Sequence, residues 1–512
     1  MPIDLFTDLS FANLLGGSLL LGIGTLACIY NDRAVFDTAR KDMRTLAGWP
    51  LVGSTPEIVM GLSRIHDYFI SHNKHNELST ATTSAIGIPR HVHTSNPINI
   101  EHILKTNFEN YIKGPEFHNA LADVFGGGIF NANGEEWKFQ RKTASNIFNI
   151  KNFRDHFTDI FVEELDFMVE NIWDKAAESH EVIDFQEIMY KFTLDSFIRI
   201  GFGAKINSLG NKSQVPFAVA FDSAQRLVMP RFVNLSWPIT EAIQRTLFPW
   251  IPTVQTHLKV IDKFAHKVIE ERREQLSRGE EHGDILSRFM TARDLSDKKL
   301  GNTELRDVVL NFIIAGRDTT AQALSWTFYM LMCHPRVEKK LLDEINTMVP
   351  IEIMHDPVEL YKTVKNMNYA HAVFYEVLRL YPSVPLNQKY ALNDDIWPDG
   401  THIRKGDYIL WAPYGQGRNE ALWGPDAKMF KPERWILDDG RLNREPSSKW
   451  TAFHGGPRAC LGQNLATLEA LVAIIFLVRR YKFSLSHAQD ITYQVSLTLP
   501  MKYGMKVSVQ RR

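Results

Sequence analysis

Near the C-terminal end of the chain, the stretch Phe453-His-Gly-Gly-Pro-Arg-Ala-Cys-Leu-Gly462 surrounds one of only three cysteines with glycine, proline and arginine. A thiolate is a good axial ligand for haem iron, where its electron donation favours heterolytic O–O cleavage. Holding it there requires a tight turn that aims amide N–H groups at the sulfur, and Gly455, Gly456 and Gly462 would permit one. Arg458, two residues before Cys460, is placed to meet a haem propionate by a charge-assisted bond. A cysteine taken alone reads more simply as a small buried hydrophobe, so the surrounding pattern has to carry the assignment. Cys28, Cys333 and Cys460 lie far apart without Cys-x-x-Cys or Cys/His spacing. That argues against structural zinc and a disulfide framework and fits a reducing compartment.

Four other stretches hold reactive or charged residues in an apolar context. In AGRDTT, Ala315 to Thr320, paired threonines follow Gly316 and the charged Asp318 inside an apolar helical run from about Thr303 to His334, which Pro335 ends. Such a group is a weak point in an otherwise buried helix, where a local opening can admit O2 and water. The other reading is that the threonines back-bond to the helix with no catalytic purpose. In YEVLRLYP, Glu376 and Arg379 are three residues apart and share one face of a mostly apolar helix. Buried there, the two charges need partners. FKPERW supplies Arg434, and WKFQR places Trp137 and Arg141 four residues apart on one helical face. His91 and His93 alternate in RHVHTS, but two histidines without a nearby carboxylate or thiol make a poor metal site.

The pattern Phe453-x-x-Gly456-x-Arg458-x-Cys460-x-Gly462 resembles the haem-binding signature of the cytochrome P450 superfamily; AGRDTT, YEVLRLYP and FKPERW resemble that family independently, and WKFQR is similar to the family's matching helix. The resemblance implies haem b (iron protoporphyrin IX) with Cys460 as the axial ligand of the iron. Arg458, Trp137, Arg141, Phe453 and Lys389 would contribute to cofactor binding. It implies that Thr319 orients bound dioxygen, that Asp318 belongs to a proton relay, and that Glu376, Arg379 and Arg434 form a structural network. The stretches Asn110–Phe148 and Arg379–Trp435 resemble fungal and plant enzymes that hydroxylate fatty acids, and in some fungal members alkanes, at or near the chain end. Pocket positions implied are Phe125, Phe312, Ala315, Val384, Pro385, Leu386 and Leu497, all apolar or small and equally compatible with ordinary core. With no flavin, NADPH or iron–sulfur fingerprint in the chain, electrons are expected from an NADPH-dependent diflavin reductase. The substrate class expected is a lipophilic small molecule, most simply a long-chain fatty acid. An n-alkane or other lipid hydroxylase, a haem-thiolate peroxygenase and a membrane-tethered haem sensor are the alternatives.

These residues need a large scaffold to position them. A chain of 512 residues with 44% hydrophobic and 23% charged residues can bury a sizeable core. Its formal net charge of −1 provides no field to draw nucleic acid, and none is expected as a partner. From Phe11 to Tyr30 the chain runs 20 residues without a charge, enough as a helix to span about 30 Å. Asp4 and Asp8 precede this run and Arg33, Arg40, Lys41 and Arg44 follow it. That bias predicts an uncleaved single-pass anchor with the rest of the chain on the cytosolic side, and the resemblance implies that the membrane is that of the endoplasmic reticulum. Residues 1–30 therefore read as the anchor, 31–55 as a linker and 56–512 as one haem-thiolate domain. Amphipathic helical segments dominate that last part, with strand-like runs near residues 401–414 and at the C-terminus, so the expected class is mainly α with small β-sheets.

Overall fold

The computed structural model describes residues 5–46, 48–72, 78, 80–148, 150–234 and 236–512, with side chains from residue 16 onward except at 69, 71, 72 and 155. Among the described residues it is mainly helical with three small sheets. The helices used below are α1 (Leu5–Ile29), α2 (Gly134–Ser145), α3 (Phe185–Phe202), α4 (Pro216–Val228), α5 (Trp237–Leu247), α6 (Asn302–Ile313), α7 (Thr319–Cys333), α8 (Asn368–Leu380) and α9 (Gln463–Arg480). Helices α7 and α9 read as apolar on nearly every face, and both are buried over most of their length in one continuous core with α3, α6 and α8. Helix α3 starts where the Asp184 carboxylate accepts the amides of Gln186 and Glu187 and ends at left-handed Gly203.

The largest sheet runs in the order Arg44–Thr45, Thr80–Ala85, Ile88–Thr94, Tyr408–Trp411, Asn387–Ala391 and Tyr111–Ile112. Lys389 sits opposite Ile409 in an antiparallel pair of this sheet. A second apolar cluster with Val92, Trp397 and Trp411 packs beneath it, and a third gathers Ala372, Trp423 and Trp435 around α8. Within the segment read as a linker, Arg44 and Thr45 pair in parallel with Ala81 and Thr82, and Arg40 reaches Asp407 at 2.7 Å. This stretch is thus partly tied to the sheet.

The uncharged N-terminal run lies in α1 from Phe11 to Ile29, with Tyr30 just beyond the helix. Residues 1–4 of the expected anchor, and the side chains through residue 15, lie outside the described residues. Among the described residues no helix is long and apolar enough to cross a membrane, so the expected transmembrane helix finds no such span there.

Between α6 and α7 the helix widens into one π turn, Ile314–Asp318. Two neighbours meet carbonyls around it: the Thr193 hydroxyl donates to the Arg317 carbonyl at 2.8 Å and Ser383 to that of Thr319 at 2.8 Å. Gly316 is required by close approach, because a Cβ there would lie 1.9 Å from the ring of Phe197 on α3.

Candidate active site

Cys460 lies in the loop that enters α9. Its amide donates to the Phe453 carbonyl at 2.9 Å, closing a turn in which Gly456 has a φ of +62°. A side chain at Gly456 would also strike the Leu104 carbonyl at 1.8 Å, so both conformation and space demand glycine. The amides of Gly462 and Gln463 point at the sulfur. Burial pushes the thiol up, while the Gly462 and Gln463 amides and the Arg141 guanidinium oppose that shift. The sulfur is nonetheless accessible, because it opens onto an internal cavity of about 850 Å³.

The wall near Cys460 gathers basic side chains, among which burial and then the neighbouring lysines hold the His454 ring well below its ordinary pKa, leaving it neutral. Lys113, Arg141, Arg458 and the His454 ring line the cavity, while Lys389 lies just behind it, fully buried with no hydrogen-bond partner for its Nζ. Arg458 and Arg141 sit over the Trp137 ring at 4.5 and 5.8 Å, and Arg458 Nη2 donates to the Ala132 carbonyl at 2.7 Å. Burial lowers the Lys113 ammonium to about 7 and Arg458 to about 10, with Arg458 and Arg141 respectively adding repulsion. Lys389 is depressed by burial, then by Lys113 and Arg458. Of the carboxylates, only Glu109 offsets Arg458, and none offsets the two lysines. A cluster of buried positive charge without counter-charge suits a dianionic ligand. Two propionates beside a thiol cradle therefore fit the residues present: Cys460 would hold the iron, and Arg458, Arg141, Trp137, Lys113 and Lys389 would surround the carboxylates.

Away from this end the cavity is mostly apolar, with Glu116, Arg226, Asn311 and Glu469 among its polar exceptions. All seven expected pocket positions, from Phe125 to Leu497, lie on its wall, as does Phe453. Thr319 lines it too, its hydroxyl donating to the Ala315 carbonyl at 2.7 Å. Asp318 does not. Its carboxylate turns toward α4, accepting from Gln225 Nε2 at 2.6 Å and Arg317 Nη1 at 2.7 Å, and Arg317 pairs in turn with Asp222 at 2.5 Å. Burial raises Asp318 to about 6 against the pull of Arg317.

Glu376, Arg379 and Arg434 meet outside the cavity. Arg379 makes a bidentate pair with Glu376 at 2.7 and 2.8 Å, and Arg434 Nε adds a bond to the same carboxylate at 2.9 Å. The Trp435 indole and the Lys431 amide complete its shell at 2.9 and 2.8 Å. His91 faces Gln388 and Glu116, and His93 faces Thr83. No group of three metal-ligating side chains occurs among the described residues.

Sequence reading missed Lys113, His454 and Glu469, all on the cavity wall. Lys113 had a signal, a single lysine in the apolar run Tyr-Ile-Lys-Gly-Pro. Glu469 had another, the only acidic residue in α9.

The family profile described as Cytochrome P450 matches residues 43–506. Cytochrome P450 704B1 of Arabidopsis thaliana is 36% identical over 504 residues, covering 91% of this chain and 94% of that protein. Cytochrome P450 704C1 of Pinus taeda is 36% identical, covering 90% and 92%. The cytochrome P450 monooxygenase cyp1 of the fungus Mycosarcoma maydis is 34% identical, covering 96% and 79%.

Proposed function

This chain belongs to the cytochrome P450 family, haem b-dependent monooxygenases, and from that premise we propose that it hydroxylates long-chain fatty acids at or near the methyl end. Haem, when bound, supplies the activation of O2 and the insertion of one of its oxygen atoms into a C–H bond. The chain's own contribution is to hold the thiolate, neutralise the propionates, exclude water and present one carbon. The carrying observation is the joining of a cationic, thiol-bearing end to an apolar cavity of about 850 Å³. Terminal C–H bonds are stronger than internal ones, so end attack requires a wall that admits only the tail. Phe312, Ala315, Val384 and Leu386 supply such a wall, and position then overrules reactivity.

Electrons come from an NADPH-dependent diflavin reductase on the same membrane, and the enzyme is anchored in the endoplasmic reticulum through residues 1–30. Supporting attachment, α5 buries none of its residues and carries exposed Ile239, Ile243 and Leu247, followed by Trp250 at 72% exposure. Exposed Val59 and Met60 line the cavity as well, which suits a substrate arriving from lipid.

Product analysis with acids of several lengths, beside alkanes and a sterol, tests the substrate. Alcohols at or near the methyl end of the acids are expected. Turnover of alkanes alone moves the assignment to hydrocarbons, and sterol oxidation with inert acids removes it. Thr319 holds a hydroxyl at the cavity face of the π turn, so it is assigned to proton delivery. Thr319→Ala is expected to keep haem and its CO spectrum while product per NADPH falls about tenfold, electrons going to peroxide and water instead. An unchanged ratio would put the relay elsewhere.

A further inference from the structure

One wall of the cavity is a sheet face on which polar side chains recur. His91 and His93, two apart on the strand Ile88–Thr94, line it with Thr83 of the neighbouring strand and Gln388 of Asn387–Ala391. Thr83 is engaged by His93 at 2.9 Å. Over the same face stands Glu116, in the first turn of the helix Pro115–Phe125, which lines the cavity with only 8% of its surface exposed.

The two oxygens of Glu116 differ. Oε2 accepts from Gln388 Nε2 at 2.8 Å, and that nitrogen also lies 3.1 Å from His91 Nε2, so both hydrogens of the amide have partners. His91 Nε2 lies 3.3 Å from the same Oε2. Oε1 is buried and has no hydrogen-bond partner. A glutamate needed only to hold Gln388 would be as well served by a glutamine, which costs less to bury. A buried oxygen left unpaired is destabilising and calls for a donor. A carboxylate only accepts, and one in the first turn of a helix sits where negative charge is favoured.

The missing group is therefore an O–H or an N–H. A free carboxylate brings neither and is repelled by Glu116. An ammonium is disfavoured by the basic side chains at the Cys460 end, of which Lys113 stands three residues before Glu116. In a cavity that is otherwise mostly apolar, the donor that remains is the hydroxyl of a lipid. The terminal torsion of a glutamate is soft, so Oε1 can turn to meet a group lying in the cavity.

We propose that Glu116 is a specificity-determining residue that accepts a hydrogen bond from a hydroxyl carried by the substrate, so that the cavity prefers hydroxylated chains to plain ones. The hydroxyl can sit along a fatty acid chain or form the head of a fatty alcohol, and both present the same O–H. This ligand class rests on the lipid-hydroxylase reading. Glu116 meets the substrate away from the reacting carbon and takes no part in bond breaking.

The test is equilibrium binding to the full-length, haem-loaded protein, followed by calorimetry so that no turnover is needed. The probes are hexadecanoic acid, the same acid with a hydroxyl or a keto group at successive carbons, and hexadecanol beside its methyl ether. At least one hydroxylated probe is expected to bind about tenfold tighter than its counterpart without the O–H. A preferred hydroxy acid places the hydroxyl along the chain, and a preference for hexadecanol over its ether places it at the head. Indifference to both overturns the proposal, the orphan oxygen then being met by water only. In Glu116→Gln the amide oxygen has to accept from Gln388 Nε2, which turns the NH2 to where Oε1 stood, so an acceptor becomes a donor. The hydroxyl preference should vanish and the keto chain should gain about tenfold on the hydroxy chain, while the plain acid moves less than about threefold. A hydroxyl preference that survives in this variant overturns the assignment to Glu116. If the glutamine variant does not take up haem, Glu116→Asp, whose carboxylate is withdrawn by one methylene, should lose most of the preference, and full retention overturns the assignment. Should the plain and hydroxy acids fail to bind while hexadecanol binds in a Glu116-dependent way, the fatty acid reading falls and the role of Glu116 stands.

Discussion

Replacing Cys460 by histidine is expected to abolish both monooxygenation and the strongly red-shifted Soret band of the reduced CO complex. The loop is built for a sulfur: two amides aim at it, Arg141 adds positive potential, and the turn at Gly456 leaves no room for a Cβ. An imidazole is larger, neutral as a ligand, and a poorer electron donor to the iron than a thiolate. Those amides would then face a group that does not need them. The measurement is the difference spectrum of the reduced protein with and without CO, read beside haem content. A variant that binds haem and retains the thiolate-type band would sink the assignment of Cys460 as ligand.

Glu376→Ala is expected to cost about 3–5 kcal/mol, the range for breaking a buried ion pair by removing one partner. Both Glu376 and Arg379 are fully shielded from solvent, and removing the carboxylate leaves the Arg379 charge without an acidic partner, takes one bond from Arg434, which keeps Asp426, and frees the Trp435 indole N–H and the Lys431 amide. Set against a typical domain stability of about 5–15 kcal/mol, that loss should lower the denaturation midpoint sharply and deplete haem, although no atom of the network touches the cavity. Glu376→Gln keeps part of the hydrogen bonding and should fall between. An alanine variant as stable as the parent would mean that Arg379's bonds to the carbonyls of Gly417, Ala427 and Met429 carry the site alone.

Both effects were traceable to short local patterns. The turn around Cys460 needs glycine at positions that a linear reading can see, and Glu376 and Arg379 face one another because residues three apart share a side of a helix. Helix α7 was likewise visible as a long apolar run stopped by proline. The π turn was foreseeable only as a weak point. Its actual form depends on Phe197 packing against Gly316 and on Thr193 meeting a carbonyl, and both lie on another helix.

By itself, then, the sequence determined the mainly helical class, the thiol cradle, the helix carrying Thr319 and the charged pair on α8, because each rests on spacing within one segment. Tertiary structure alone decided which charges share the cavity end. Lys113 and Lys389 are hundreds of residues apart and become neighbours when the strand Tyr111–Ile112 joins the sheet beside Asn387–Ala391. It also decided which carboxyl faces the cavity, turning Asp318 into a contact with α4 and placing Glu469 between two hydroxyls. The physical reason is the same in both cases. The state of a buried charge is set by desolvation and by the few groups around it, and those groups come from different parts of the chain.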